Sequence, residues 1–316
     1  MPSPRVVALG GGHGLFATLT SLRSLTSEIT AIVTVADNGG SSGRLREEFP
    51  IFPPGDLRMA LAALCSDDEW GRSWAEIMQY RFTSDGPLDG HAIGNLLLAA
   101  LWDRDEDPIE GLDRVGALLK VVGRVLPMAG EPLDIEATFV DQGEKKTVRG
   151  QKEVATTTGR FESVQLIPEN PKARPEALAA IAQANWITMG PGSWISSVLP
   201  HLLVPQQVVA LSNSPAKRIL LLNLDDVDTG EFSGRSALDH IGALQKLAPQ
   251  LSFDFIVADS SLVKDPQAAE LLEEKVSTQG GELLVRDLRL QGSANHHDTK
   301  KLTSLFAHIA GKTLVG

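Results

Sequence analysis

The chain of 316 residues contains one cysteine, Cys65. An intrachain disulfide and a cysteine-based metal cluster are therefore excluded. Cys65 closes the apolar run over residues 59–65, which marks it as a buried structural thiol and not a nucleophile. Basic residues are also in short supply: 29 Lys and Arg face 40 Asp and Glu, a net charge of −11. A polyphosphate backbone must be met by a positive surface, so nucleic acid is not an expected partner. A local basic pocket for one small phosphate is still allowed. No stretch reaches the roughly 18 apolar residues that cross a bilayer. Residues 1–5 lead straight into a short strand, without the apolar core of a signal peptide. A cytoplasmic protein with no membrane insertion is expected. No Lys-Ser/Thr pair follows the first glycine cluster, so there is no Walker loop. No Gly-x-Ser-x-Gly elbow and no short repeat occur either.

What is present is the composition of an ordinary globular chain, 42% hydrophobic and 22% charged. Residues 6–9 form a short apolar run that ends at Gly10, Gly11 and Gly12, the pattern of a buried parallel strand. Leu15, Leu19 and Leu22 then recur at helical spacing. A β-branched run over 29–36 stops at Asp37, completing a strand, glycine turn, helix, strand unit. Periodicity predicts helices over 57–64, 69–80, 92–101 and 109–122. Alternation over 133–140 and 146–149, around Asp141-Gln142-Gly143-Glu144, signals a hairpin, and 153–167 is rich in Thr and Val. Residues 127–168 thus read as a small β-rich insertion. From Pro175 the rhythm returns, with helices over 176–184, 195–203, 237–247, 268–276 and 298–309. Strands alternate with them over 186–189, 218–224, 253–258 and 282–285. The expectation is an α/β fold: one domain over 1–316, a mostly parallel sheet covered by helices on both faces, and the insertion at 127–168. In such sheets ligands sit beyond the carboxyl ends of the strands, where the glycine-rich turns fall.

Five strings carry chemistry. Gly10-Gly11-Gly12-His13-Gly14 lies between strand and helix; it is either a tight turn or a cradle whose helix amides suit phosphate. Asp37-Asn38-Gly39-Gly40-Ser41-Ser42-Gly43-Arg44 follows the second strand, where an acid can hold a ribose hydroxyl. Its amides, hydroxyls and guanidinium suit a phosphate, and Asp37 alternatively ligates a metal whose shell phosphates complete. In Pro54-Gly55-Asp56-Leu57-Arg58, Asp56 either caps a helix or meets a ligand. Arg58 is a cation in a first turn, opposed by the helix dipole, which points to a partner: Asp56, another acid or a ligand. In Gly90-His91-Ala92-Ile93-Gly94-Asn95, a buried Asn95 needs a backbone or ligand partner, and His91 reads as structural before it reads as a base. Gly190-Pro191-Gly192-Ser193 again joins strand to helix, with Ser193 a cap or an anion ligand. Asn213, past the run 208–211, is expected in the same cleft. Asp225, Asp226 and Asp228 read as a solvated loop. Of His296-His297-Asp298, the last is an N-cap, and the histidines read as surface residues first and as residues reaching the cleft second.

Together these strings, in order from Val6 to Ile309, resemble the YvcK-like gluconeogenesis factors, within the wider superfamily of the 2-phospho-L-lactate (CofD-like) transferases. The most specific is Val35-Ala36-Asp37-Asn38-Gly39-Gly40-Ser41-Ser42-Gly43-Arg44-Leu45-Arg46. The resemblance implies a Rossmann-like fold and a cytoplasmic role in growth and cell shape on gluconeogenic carbon sources. It implies binding of UDP-sugars, notably UDP-N-acetylglucosamine, with no securely assigned reaction. The transferase relatives move a phospholactyl group from a nucleotide-activated donor, with magnesium, which would make Asp37 the metal ligand here. Carry-over falls on Gly11, Gly12, Asp37, Asn38, Gly94, Asn95, Gly192 and Ser193. His13 stands where the family often has a small hydroxyl residue, Asn38 where it often has a second Asp, and His296 where it often has Arg. The change at Asn38 removes a charge that would hold a cation. Symmetric dimers are common in this class, but the sequence carries no interface signature.

Overall fold

The computed structural model describes residues 3–105, 107–224 and 236–313. In chain order the elements are β1 (Val6–Gly10), α1 (Gly12–Leu22), β2 (Ile29–Val33), α2 (Gly40–Glu48), α3 (Pro54–Leu64), α4 (Glu69–Gln79), α5 (Ile93–Arg104) and α6 (Pro108–Leu119). Then come β3 (Arg124–Pro127), β4 (Asp134–Asp141), β5 (Glu144–Arg149), α7 (Gln151–Thr156), β6 (Arg160–Ile167), α8 (Pro175–Gln183) and β7 (Trp186–Met189). A π-helical turn (Trp194–Val198) and a 3-10 turn (Leu199–Leu203) lead to α9 (Pro205–Asn213) and β8 (Lys217–Leu221). The chain continues through α10 (Ala237–Leu247), β9 (Phe255–Asp259), α11 (Pro266–Ser277), β10 (Glu282–Arg286) and α12 (Thr299–Thr313).

Seven strands form one parallel sheet in the order β10-β9-β8-β7-β1-β2-β3. Every residue of β1, β7 and β9 is buried, so both faces of the sheet are covered. From β1 the chain builds outward through β2 to β3. It then returns to the other side of β1 and builds through β7 to β10. The direction of growth therefore reverses between β1 and β7, which makes their shared carboxyl end the topological switch point. The α/β expectation holds, Rossmann-like parallel sheet included.

The insertion is a three-stranded antiparallel sheet, β5-β4-β6. Its hairpin turns on Gln142 and Gly143, both with positive φ (48° and 89°), the backbone twist that a two-residue hairpin turn needs.

Four elements depart from the sequence reading. The polar stretch after Asp37 is not all loop, because α2 begins at Gly40. Ser41 and Ser42 are poor helix formers there, held by buried tertiary hydrogen bonds. Residues 151–156 are a helical turn and not strand, and β3 is a four-residue edge strand too short to show a period. The run 208–211 belongs to α9, with Pro205 at its first turn. Cys65 is buried as expected; burial pushes its thiol up to about 11. Among the described residues no single helix is long and apolar enough to cross a membrane.

Candidate functional site

The two glycine turns that end β1 and β7 lie side by side at the switch point. Strand pairing sets Leu9 opposite Met189, and the Gly190 amide donates to the Leu9 carbonyl at 3.1 Å. A Cβ on Gly14 would overlap the Pro191 carbonyl, so glycine is what allows the two turns to touch. The Gly190–Pro191 peptide is cis, and the Gly192 amide donates to Asn223 Oδ1 at 2.8 Å. Ser193 caps the π-helical turn, its Oγ accepting from the Ser196 amide (3.2 Å) and hydroxyl (2.6 Å).

The β2 and α3 ends join the same place. Asp56 does not cap α3, whose N-cap is Pro53. It accepts from Thr34 Oγ1 at 3.3 Å and from the Gly12 amide, bridging the second strand to the first glycine turn. A Cβ on Gly11 would collide with Asp56 Oδ2 and approach Thr34 Oγ1 to 2.5 Å. Burial, then the charge of Asp37, raises the Asp56 carboxyl to about 7. Burial also raises Asp37, against the Gly39 amide (2.7 Å), the Ser42 hydroxyl and the charges of Arg46 and Arg58. Ser42 Oγ in turn accepts from the Gly55 amide at 3.0 Å. The two acids thus form one half-buried, mutually repelling pair.

The fourth string closes the cleft. Asn95 Nδ2 donates to Ser41 Oγ (3.0 Å), and that hydroxyl donates to His91 Nδ1 (2.9 Å). His91 is therefore a structural partner of α2, and burial lowers its pKa. Asn95 Oδ1 is buried without a partner. The helices α1 and α2 both begin at this rim on the glycine N-caps Gly11 and Gly39, which supply no side-chain cap; the Gly12 amide of α1 is taken by Asp56.

Three predicted residues sit elsewhere or are otherwise engaged. Asn213 ends α9 and precedes β8; it is exposed at the amino end of the strands, away from the cleft. The expectation failed because 208–211 is helical, so the chain there is on its way to the opposite edge of the sheet. Asn38 turns to the insertion, with Nδ2 on Glu153 Oε2 (3.0 Å) and Oδ1 accepting from the Lys152 amide (3.2 Å). Arg44 is exposed at the rim, donating to the carbonyls of Pro87 (3.3 Å) and Asp89 (2.5 Å). Asp225, Asp226 and Asp228 lie outside the described residues. His297 is a further correction: it is buried, not a surface residue, and burial takes its pKa to about 4.

Other residues of the site gave little signal in the sequence. Asn223, just past β8, holds the second glycine turn. His201 lies fully buried beneath the first. Its Nδ1 accepts from Gln207 Nε2 at 2.9 Å, which leaves Nε2–H to reach the Gly10 carbonyl at 3.4 Å; burial lowers its pKa to about 4. Thr34 and Ser197 also border Gly11. None stands in a recognisable string, and only the folded sheet collects them.

Residues 6–292 match the 2-phospho-L-lactate transferase CofD family. A Mycobacterium leprae protein named "Putative gluconeogenesis factor" is 46% identical over 306 residues, covering 96% of this chain and 85% of its own. The "Gluconeogenesis factor" of Bacillus subtilis is 35% identical, with 97% and 98% covered. The crystal structure of a UPF0052-family protein from Bacillus halodurans superposes with a TM-score of 0.82 at 33% identity, covering 97% of this chain and 99% of that one. The chain belongs to the CofD family and, within it, to the gluconeogenesis factors.

Proposed function

We propose that the chain is a regulatory protein that binds a nucleotide-sugar resembling UDP-N-acetylglucosamine and is required for growth and cell morphogenesis on gluconeogenic carbon sources. The observation that carries this reading is the contact of the Gly10–Gly14 turn with Pro191 at the switch point, flanked by two helix N-termini that begin on glycine N-caps. Amides at the start of α1 and α2 would take the diphosphate. Asp37 would take a ribose or sugar hydroxyl, and Asn95 Oδ1 would accept a second one. Arg44, tied to the 87–89 loop, stands at the rim and not on the diphosphate. The Ser41 hydroxyl beside His91 is buried and also held by Asn95, which suits a structural role better than a nucleophile's. Calorimetry with UDP-N-acetylglucosamine tests the reading. Saturable one-to-one binding is expected, with Gly14→Ala weakening it by about tenfold or more, roughly 1.4 kcal/mol. No heat and no thermal shift at millimolar ligand would sink it.

One observation favours a second reading, a magnesium-dependent transferase acting on a nucleotide-activated phospholactyl donor. Asp37 and Asp56 are a half-buried carboxylate pair, and Thr34 and Ser42 add hydroxyl oxygens, a donor set that suits a hard divalent cation. Among the described residues no three His, Cys, Asp or Glu side chains form a group that would hold a metal alone. Asp37 and Asp56 would hold the cation with ligand phosphates completing its shell, and it would supply charge neutralisation at a phosphoryl oxygen. Release of nucleoside monophosphate from such a donor with magnesium separates the two readings.

A further inference from the structure

Arg58 is placed where three separate effects disfavour a cation. It is 3% exposed, and its Nη1 is buried with no hydrogen-bond partner. Its Nε reaches only the Gly55 carbonyl, at 3.5 Å. It sits near the start of α3, where the helix dipole is positive. Arg81 adds a like charge close enough to act on Arg58, with Asp56 and Asp37 also nearby. An unpartnered buried donor costs about 1–3 kcal/mol, more when charged. Room is nonetheless kept for it, since a Cβ on Gly94 would come within 2.7 Å of Arg58 Cγ.

Another cation, Arg81, and the ring of His13 gather around it from distant segments. Arg81 is exposed and anchored by Nη1 on the Gly90 carbonyl at 2.8 Å. His13, from the first glycine turn, feels the charges of both arginines and meets the His296 ring edge-on at 5.8 Å. His296 is in turn fixed by Nδ1 on Ser293 Oγ at 2.7 Å. The acids near Arg58 leave its Nη1 without an acceptor.

We propose that Arg58, Arg81 and His13 form a second oxyanion subsite, beside the place of the nucleotide diphosphate, for the phosphate or carboxylate group of a separate small ligand. Arg58 Nη1 donates to the oxyanion from below, Arg81 supplies charge at the rim, and the His13–His296 pair forms one wall. The inference stands whether or not the nucleotide is a UDP-sugar.

The test is calorimetry on the full chain with inorganic phosphate and, separately, acetate, each with and without saturating UDP-N-acetylglucosamine. The variants are Arg58→Gln and the double substitution His13→Ala with Arg81→Ala, whose exposed positions keep the fold out of question. Saturable oxyanion binding is expected in the wild type with or without the nucleotide-sugar, weakened at least about tenfold in both variants. The tighter of the two probes identifies the group. The proposal is overturned if neither probe binds at tens of millimolar, if both variants bind as the wild type does, or if the nucleotide-sugar competes with the oxyanion. Arg58-dependent phosphate binding with no heat from UDP-N-acetylglucosamine would keep the subsite and remove the nucleotide-sugar reading.

Discussion

Asp56 carries a carboxylate where the fold disfavours one. Its ordinary value of 3.8 rises to about 7, first through burial and then through Asp37. The native state therefore holds a proton that the unfolded chain releases. The associated stability is fully present below about pH 4, is lost as pH rises toward 7, and stays lost above that. The gap of about three units corresponds to a few kcal/mol. Asp56→Asn keeps an acceptor for Thr34 and the Gly12 amide while removing the charge. It should melt higher than the wild type at pH 8, melt with it near pH 4, and bind ligand more weakly. Melting curves across that range check this, and a variant no more stable than the wild type at pH 8 would contradict it. At this scale, residues in glycine-containing strings were readable: Gly14, Asp37, Ser41 and Asn95 all reach the cleft. Residues that act through burial were not. His201 and Asn223 stand in no motif, and Asn213 was misplaced because a four-residue apolar run fits helix and strand equally well.

The insertion matters as an element because α7 touches both halves of the site. Lys152 and Glu153 hold Asn38 of the second string, while Gln151 Nε2 donates to Ser196 Oγ in the π-helical turn at 3.3 Å. Arg46 reinforces the link, bonding the Asp37 carbonyl (3.1 Å) and Asp134 of β4 (3.0 Å). Ligand held at the two glycine turns should therefore stiffen α7. Hydrogen exchange should show added protection over 40–43, 151–156 and 194–198 on saturation with UDP-N-acetylglucosamine, and none in the exposed strand β5. Protection confined to the first glycine turn would show that the halves are not coupled. The hairpin and the long helices were legible because their periods run over many residues. The start of α2 and the edge strand β3 were not, since tertiary bonds and sheet pairing, not local propensity, define them.

The whole molecule turns one topological fact into a site. Growth of the sheet reverses between β1 and β7, so two glycine turns about 180 positions apart in the chain meet at one rim. The α3 and α5 strings reach that rim because their glycines allow close packing. In a chain of net charge −11, the cleft brings the cations Arg58 and Arg81 together beside the acids Asp37 and Asp56. A crystal structure with UDP-N-acetylglucosamine tests this most directly. The account predicts diphosphate oxygens within hydrogen-bond distance of the His13 and Gly14 amides, between the Gly10–Gly14 turn and Gly192. A ligand bound elsewhere, or one whose phosphates lie outside that junction, would contradict it.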